Sequence, residues 1–515
     1  MSVQHAVVIG AGFGGLSAAA HLAKAGYQVT VLERNEWVGG RAQVLEAEGF
    51  RFDMGPSWYW MPGEHDRWFS DLGFDRRDFY GLTRVDPSYR VYYGDTEPRE
   101  RENVVDVPAD LDAAASVFER YEAGAGEKLK RYLADAEHKY TLAMTHFIYK
   151  NYRSLFDFVN MTSVSNARAL DIHRSYAGLV HRNFSHPYLR KILEFPVVFL
   201  GSSAKSTPAV YTLMNYVDFV LGTWYPDGGF SGVAQAMRSV CERLGVQFRL
   251  GTEVTALRSS GGRVSRIECR NDCDTDEIAA DVVVANADYP HVELELLDEG
   301  DRSFTAKRWN RKALSPAVLN FYVGFDKRIP ELTHHTFFFD ADWGTHFDAV
   351  YKNPRWIEDP LFYLHVPSMS DPAVAPAGQE AVYILVPVAP GLEDTPERRE
   401  RYFDMVMDRM EARTGAALRD HVIFRRSYSI NDFRSDYNAY RGTAFGLGQT
   451  LLQTAWFRPA NRSKKLNNLY YCGHYTVPGT GTTMSTISGI MAVQRIIEDH
   501  GGSATITEGR APVSA

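Results

Sequence analysis

A valine-rich strand running into the glycine turn Gly10-Ala11-Gly12-Phe13-Gly14-Gly15, and the return of glycine punctuation near residues 225 and 473, predict an α/β fold. In it a nucleotide-binding domain with a parallel sheet is assembled from three stretches of chain, 1–73, 225–311 and 455–500. The intervening stretches, a mostly helical region at 74–224 and a largely antiparallel sheet at 312–454, form an inserted α+β domain. Residues 501–515 are rich in Gly, Ser, Thr and Ala, a composition that predicts a disordered tail.

The first element is Val7-Val8-Ile9, a short apolar run that reads as a buried parallel strand. Gly10 permits the tight strand-to-helix turn, Gly12 allows backbone to approach a pyrophosphate, and Gly15 allows close helix–strand packing. The pyrophosphate is expected on the positive end of a helix opening near Gly14. A second strand, Val29 to Leu32, ends at Glu33, 18 residues after Gly15, where a carboxylate can accept the ribose hydroxyls. This is a Rossmann-type unit.

The residues after Glu33 select the cofactor. Gly39-Gly40-Arg41 and, after the strand Phe50 to Phe52, the turn Asp53-Met54-Gly55-Pro56 are superfluous to a nicotinamide dehydrogenase. A fully buried FAD needs backbone alongside its flavin half and gains a charge-assisted bond from Arg41 to phosphate. The cofactor expected is therefore FAD.

Residues 74–224 show helical periods and many aromatics. Glycine punctuation returns at Asp227-Gly228-Gly229, before a helix (Val233 to Leu244), a strand near Val246 to Leu250, a hairpin about Gly261-Gly262 and the buried strand Val282 to Ala285. Strands then recur at Val318 to Val323, Leu361 to Val366 and Ala381 to Val386. The last return is Leu469 to Gly473, a turn through Pro478-Gly479-Thr480-Gly481, and a helix whose positive end lies beside the flavin. Such interruption puts the flavin at a seam between domains.

The 515 residues carry a mild net charge of −8, which excludes the basic face a nucleic-acid partner requires. Four cysteines form no disulfide framework, and Cys269 with Cys273 lacks the second pair of a zinc site, so no metal is expected. Met1-Ser2 leads directly into the first strand without a basic n-region, so the expected location is cytoplasmic. The apolar run Pro208 to Tyr225 is interrupted by Asn215 and Asp218 and does not read as a membrane span. His146 to Phe156 interleaves aromatic and basic residues in a pattern that suits either a membrane-surface helix or an amphipathic core helix.

The glycine motifs, together with Asn286-Ala287-Asp288, His334-His335-Thr336, Ser370-Asp371-Pro372, Asp432-Phe433-Arg434, Asn438-Ala439-Tyr440 and Ala455-Trp456-Phe457-Arg458-Pro459, resemble the bacterial-type FAD-dependent phytoene desaturases. The resemblance, from about Val3 to Ile497, implies a glutathione reductase- or amine oxidase-like FAD domain and peripheral membrane association. It also implies an FAD-dependent enzyme of carotenoid biosynthesis that introduces conjugated C=C bonds into a long isoprenoid by hydride transfer to flavin. The cofactor residues implied are Gly10, Ala11, Gly12, Gly14, Gly15, Glu33, Arg34, Gly40, Arg41, Met54, Gly55, Pro56, Ser57, Val254, Asn286, Gly473, Thr483 and Met484.

The family's usual turn Gly-Ala-Gly-Thr-His-Pro-Gly-Ala-Gly-(Ile/Val)-Pro stands here as Gly473 to Thr483, with Val477 for the histidine and Thr483 for the last proline. That departure leaves substrate and product open. A polyene offers few polar handles, so an apolar channel must orient it and exclude water. Asp218, the sole charge in its apolar run, is the candidate proton acceptor; its plainer reading is a paired charge at a domain edge. The alternatives are a carotenoid isomerase, an end-group desaturase or oxidase, an amine oxidase, and a non-catalytic lipid-binding escort on the same fold.

Overall fold

The computed structural model describes residues 4–94, 103–151, 171, 174–271 and 274–501. A five-stranded parallel sheet runs in the order Leu469–Tyr471, Val282–Ala285, His5–Ile9, Gln28–Leu32, Gln247–Arg249. Strands from the beginning, middle and end of the chain thus share one sheet. Each central strand is apolar on both faces because helices cover both sides. Phe13–Lys24 and Thr482–Asp499 lie against each other at Gly14 and Gly489, where a Cβ on Gly489 would fall inside the carbonyl oxygen of Gly14. The hairpin expected about Gly261-Gly262 belongs to a separate antiparallel sheet with the order Glu253–Ser260, Arg263–Arg270, Thr275–Ile278.

The second large sheet has seven strands, in the order Val422–Tyr428, Ala317–Phe325, Glu380–Val388, Phe362–His365, His335–Phe339, Tyr89–Tyr93, Val104–Val107. Its pairings are antiparallel except that of His335–Phe339 with Tyr89–Tyr93. The last two strands lie within 74–224, the stretch read as mostly helical from the sequence, whose described residues are mainly helix apart from short strands. Tyr89-Arg90-Val91-Tyr92-Tyr93 pairs with the strand beginning at His335, a partner far away in sequence, and helix dominates only from Leu111–Tyr121 onward. The run Pro208 to Tyr225 is divided into short turns of helix at Ala209–Thr212, Leu213–Tyr216 and Val217–Leu221, followed by the strand Trp224–Pro226. No helix among the described residues is long and apolar enough to cross a membrane. The expected disordered tail, Cys273 and Tyr152 to Phe156 lie outside the described residues.

Candidate functional site

Two large cavities meet between the sheets. The first, about 1430 Å³ counting solvent at its mouth, lies over the carboxyl ends of His5–Ile9 and Gln28–Leu32, the position at which open parallel sheets bind ligands. Gly10, Gly12 and Gly14, Glu33 and Arg34, Gly40 and Arg41, Gly55 and Pro56, Val254, Asn286 and Gly473 all line it. Ala11 and Gly15 support this wall from behind. The Ala11 N–H donates to the Glu33 carboxylate at 2.7 Å, and a Cβ on Gly15 would overlap the carbonyl oxygen of Gly10.

The residues present fit a dinucleotide. Helix Phe13–Lys24 starts at Gly12 with no side-chain cap and no acidic residue in its first turn, so its N–H groups remain open to an anion. A Cβ on Gly12 would lie 2.8 Å from the Asn286 amide, and one on Gly14 would collide with the same side chain. Helix Thr482–Asp499 likewise begins uncapped, at Gly481 (φ 104°), and Gly481, Thr482 and Ser485 face the same cavity. Two positive helix ends therefore converge on one space.

Glu33 is buried at the end of its strand and also accepts the Asn35 N–H at 3.0 Å; burial pushes its pKa up, against the two donors. Arg41 lies 5.2 Å over the Tyr437 ring, 3.9 Å from Asp288 and donates to the Thr443 carbonyl at 3.3 Å. Its buried Nε has no hydrogen-bond partner among the described residues, so it is available to a phosphate. Burial raises Asp288 to about 7, against the pull of Arg41. Arg34 donates to the Ser435 carbonyl at 2.7 Å, which ties the cofactor domain to helix Ile430–Tyr437.

The second cavity, about 1780 Å³, is lined by Trp58, Trp60, Met144, Phe195, Phe199, Phe337, Phe339 and other apolar side chains. Gly55, Pro56, Val318, Leu385, Phe445, Gly481 and Thr482 line both cavities, so the two abut there. A long hydrocarbon in the second can reach a ring system in the first. Its polar features are few. Trp343 and His346, on one face of helix Trp343–Tyr351, both line it. His346 Nδ1 accepts the Leu361 N–H at 3.1 Å, so Nε2 carries the hydrogen; burial lowers its pKa to about 3, and the ring is neutral. Neither His346 Nε2 nor Trp343 Nε1 has a partner among the described residues, leaving two N–H donors on an apolar wall.

Four predicted cofactor positions fall elsewhere. Ser57, Thr483 and Met484 line the second cavity and not the first. Met54 lines neither: its side chain is in the core and its carbonyl accepts the Tyr322 hydroxyl at 2.8 Å. Asp218 also lines neither cavity. It is buried, accepts the Tyr89 hydroxyl at 3.2 Å, and burial raises its pKa to about 7. The ring of Tyr89, whose hydroxyl donates to it, lies 5.8 Å from that of Trp58 on the cavity wall, and the proton acceptor expected at Asp218 is not among the residues lining the substrate space. Sequence reasoning missed Trp343, His346 and Tyr437. The motif at Asp432 to Tyr440 signalled the last, whose helix closes the cofactor cavity.

The model of the flavin-containing amine oxidoreductases matches residues 13–497. The chain is 41% identical to a carotenoid 3,4-desaturase of Haloarcula japonica over 97% of this chain and 99% of that protein. It is 33% identical to a zeta-carotene-forming phytoene desaturase of Myxococcus xanthus over 95% and 93% of the two chains. Among solved structures it is similar to a cyclohexylamine oxidase of Brevibacterium oxydans, at a TM-score of 0.59 and 13% identity over 97% of this chain and 100% of that one. That likeness shows the fold.

Proposed function

The chain belongs to the flavin-containing amine oxidoreductase family, and from that premise we propose that it is a carotenoid desaturase, with FAD as its cofactor, acting on CH–CH bonds of a long polyene precursor. The carrying observation is the shared wall at Gly55, Pro56, Gly481 and Thr482, where a dinucleotide cavity opens onto an aromatic and aliphatic one. The relatives named for carotenoid and phytoene desaturation support the substrate class.

The chain's own residues are assigned these tasks. Glu33 accepts the ribose hydroxyls; the N–H groups after Gly12 and the side chain of Arg41 hold the pyrophosphate. Bound there, FAD supplies an acceptor for the hydrogen that leaves an allylic carbon with its bonding pair. Trp58, Phe337 and their neighbours fix the polyene by shape and keep water out. A primary-amine pocket is not what such a wall suits. The two N–H donors of Trp343 and His346 favour a polyene whose far end carries an oxygen over a plain hydrocarbon.

The substrate dissolves in lipid, and one face suits a membrane surface. Arg308, Lys312 and Lys464 line a third cavity without an acidic partner among the described residues. Burial and the neighbouring cations lower the Lys312 pKa. Phe457, on the wall of the same cavity, is 43% exposed, and Leu452, in the preceding turn, is 70% exposed. This combination of cations and apolar side chains fits an anionic membrane surface.

The test is incubation of the yellow protein, in liposomes, with hydrocarbon, hydroxylated and already desaturated carotenoids of several chain lengths. Products with lengthened chromophores support the reading. Products of unchanged hydrogen content favour an isomerase, oxygenated ends favour an oxidase, and colourless protein that binds polyene unchanged favours an escort.

A further inference from the structure

Behind the wall of the substrate cavity three histidines lie together, fully buried: His334 and His335 on one strand edge and His365 on the neighbouring strand, with His335 directly opposite His365. Their ligand atoms lie within 4.8 Å of one another. A metal site would need three in-plane lone pairs converging on one point. The rings of His335 and His365 instead lie at 20° with centroids 5.3 Å apart, and His335 is stacked on Trp58 at 4.0 Å and 14°. Four of the six ring nitrogens are engaged in hydrogen bonds.

The hydrogen bonds describe a different object. From the cavity wall, Ser57 Oγ and Tyr363 Oη are 2.9 Å apart, and Tyr363 Oη is 2.6 Å from His335 Nδ1. His335 Nε2 has no partner among the described residues, and a ligand nitrogen of His335 lies within 4.8 Å of those of the pair His334–His365, whose Nε2 atoms are 3.1 Å apart. His334 Nδ1 is 2.7 Å from the hydroxyl of Ser370, a half-buried residue on the turn after the strand. Burial keeps all three imidazoles neutral, and a neutral imidazole donates from one nitrogen while accepting at the other.

We propose that Ser57, Tyr363, His335, the His334–His365 pair and Ser370 form a proton relay that carries the proton lost by the substrate from the cavity to solvent. The inference rests on the desaturase reading. In each desaturation one hydrogen leaves with its bonding pair to the flavin. The other leaves as a proton, and its bonding electrons become the new π bond. Tyr363 Oη takes that proton while passing its own to His335 Nδ1. His335 gives its Nε2 proton to a water bridging the gap, which passes one of its own to His365; the Nε2 proton of His365 moves to His334 Nε2, the Nδ1 proton of His334 to Ser370, and Ser370 passes one on to solvent. Rotation of the hydroxyls and the return of His335 to its first tautomer reset the chain. The proton leaves a carbon beside a delocalised cation and is strongly acidic, so a weak base is sufficient. Ser57 follows directly on Gly55 and Pro56, which line both cavities, so the relay begins beside the reacting bond.

Tyr363→Phe, His334→Gln and Ser370→Ala test it, the last lying outside both cavities. Expected for Tyr363→Phe are normal FAD absorbance and KM with kcat lower by ~10²-fold or more, the usual worth of positioned proton transfer. Ser370→Ala and His334→Gln should lower kcat less and increase the solvent deuterium isotope effect. The independent readout is the low-field proton NMR signal of the Tyr363–His335 bond: its exchange with D2O should be slowed by Ser370→Ala. Wild-type kcat in Tyr363→Phe, unchanged exchange in Ser370→Ala, or one bound metal ion per chain by elemental analysis overturns the relay. Wild-type protein that dehydrogenates no polyene overturns the desaturase reading instead, and the exchange rates then still decide whether the wire conducts.

Discussion

Asp218→Asn separates a structural from a chemical role for the least comfortable charge in the chain. Asp218 is buried, with the Tyr89 hydroxyl as a donor, and burial raises its pKa from 3.8 to about 7. A raised carboxyl pKa means that the folded protein binds more protons than the unfolded chain between those values, so stability falls as pH rises through that window and levels off above it. The full penalty is ~4 kcal/mol at ~1.4 kcal/mol for each tenfold change in proton affinity. At pH 5 the penalty is only ~2 kcal/mol by the same linkage. Asparagine never ionises and can still accept from Tyr89. The variant should therefore gain ~2–3 kcal/mol more over wild type at pH 8 than at pH 5 by this linkage, whatever constant cost the amide adds. Urea unfolding followed by tryptophan fluorescence at the two pH values measures it, alongside turnover, which should not change. Parallel pH profiles for the two proteins, or a loss of turnover with FAD retained, would refute the placement of Asp218 outside the chemistry.

Glu33→Ala removes the acceptor for the ribose and leaves the Ala11 N–H without its 2.7 Å partner; FAD affinity should drop by ~10²-fold, from hydrogen bonds to a charged group worth ~1.5–3 kcal/mol, as read by fluorescence of released flavin. Gly14→Ala drives a methyl group into the Asn286 side chain and to 3.0 Å from the Gly473 nitrogen; colourless protein is expected, and a yellow, active variant would contradict the cradle. His346→Leu deletes one of the two N–H donors in the substrate cavity; kcat/KM should fall ~10-fold for an oxygen-bearing polyene, the worth of one lost hydrogen bond, and hold for a hydrocarbon of equal length. Equal effects on both would remove His346 from specificity.

The cofactor side was legible in the sequence because its determinants are local. Gly10 to Gly15 carry turn, helix start and close approach within six positions, and Val7-Val8-Ile9 and Val282 to Ala285 announce their burial on both faces. The substrate side depends on long-range pairing. Nothing near Tyr89 says that it pairs in a sheet with residues near His335, and nothing near His335 says that His365 stands opposite. Met54 and Ser57 belong to the same motif as Gly55, yet one points into the core and the other into the apolar cavity, a side-chain direction that the motif does not encode. The isolation of Asp218 in an apolar run was a true signal of a perturbed carboxyl; its place beside Tyr89 came only with the fold.

The C-terminal turn has a double function that explains why its departures from the family pattern bear on substrate more than on cofactor. Gly473 and His474 face the dinucleotide cavity, while Pro478, Thr480, Thr483 and Met484 face the apolar one. Of the glycines that survive, Gly473 is on the first side, where a Cβ on it would meet Asn286, and Gly481 lines both cavities. Thr483, standing where the family places proline, is on the second, with its hydroxyl 3.2 Å from His65 and directed at the Trp60 carbonyl. Proline there would delete a hydroxyl from the wall and an N–H from the first turn of an uncapped helix. Threonine keeps both, so this chain offers a polar group close to the junction at Gly481-Thr482. A polyene that reached that junction would meet polar groups at two separated points, the donors of Trp343 and His346 and the hydroxyl of Thr483, with aromatic walls between them.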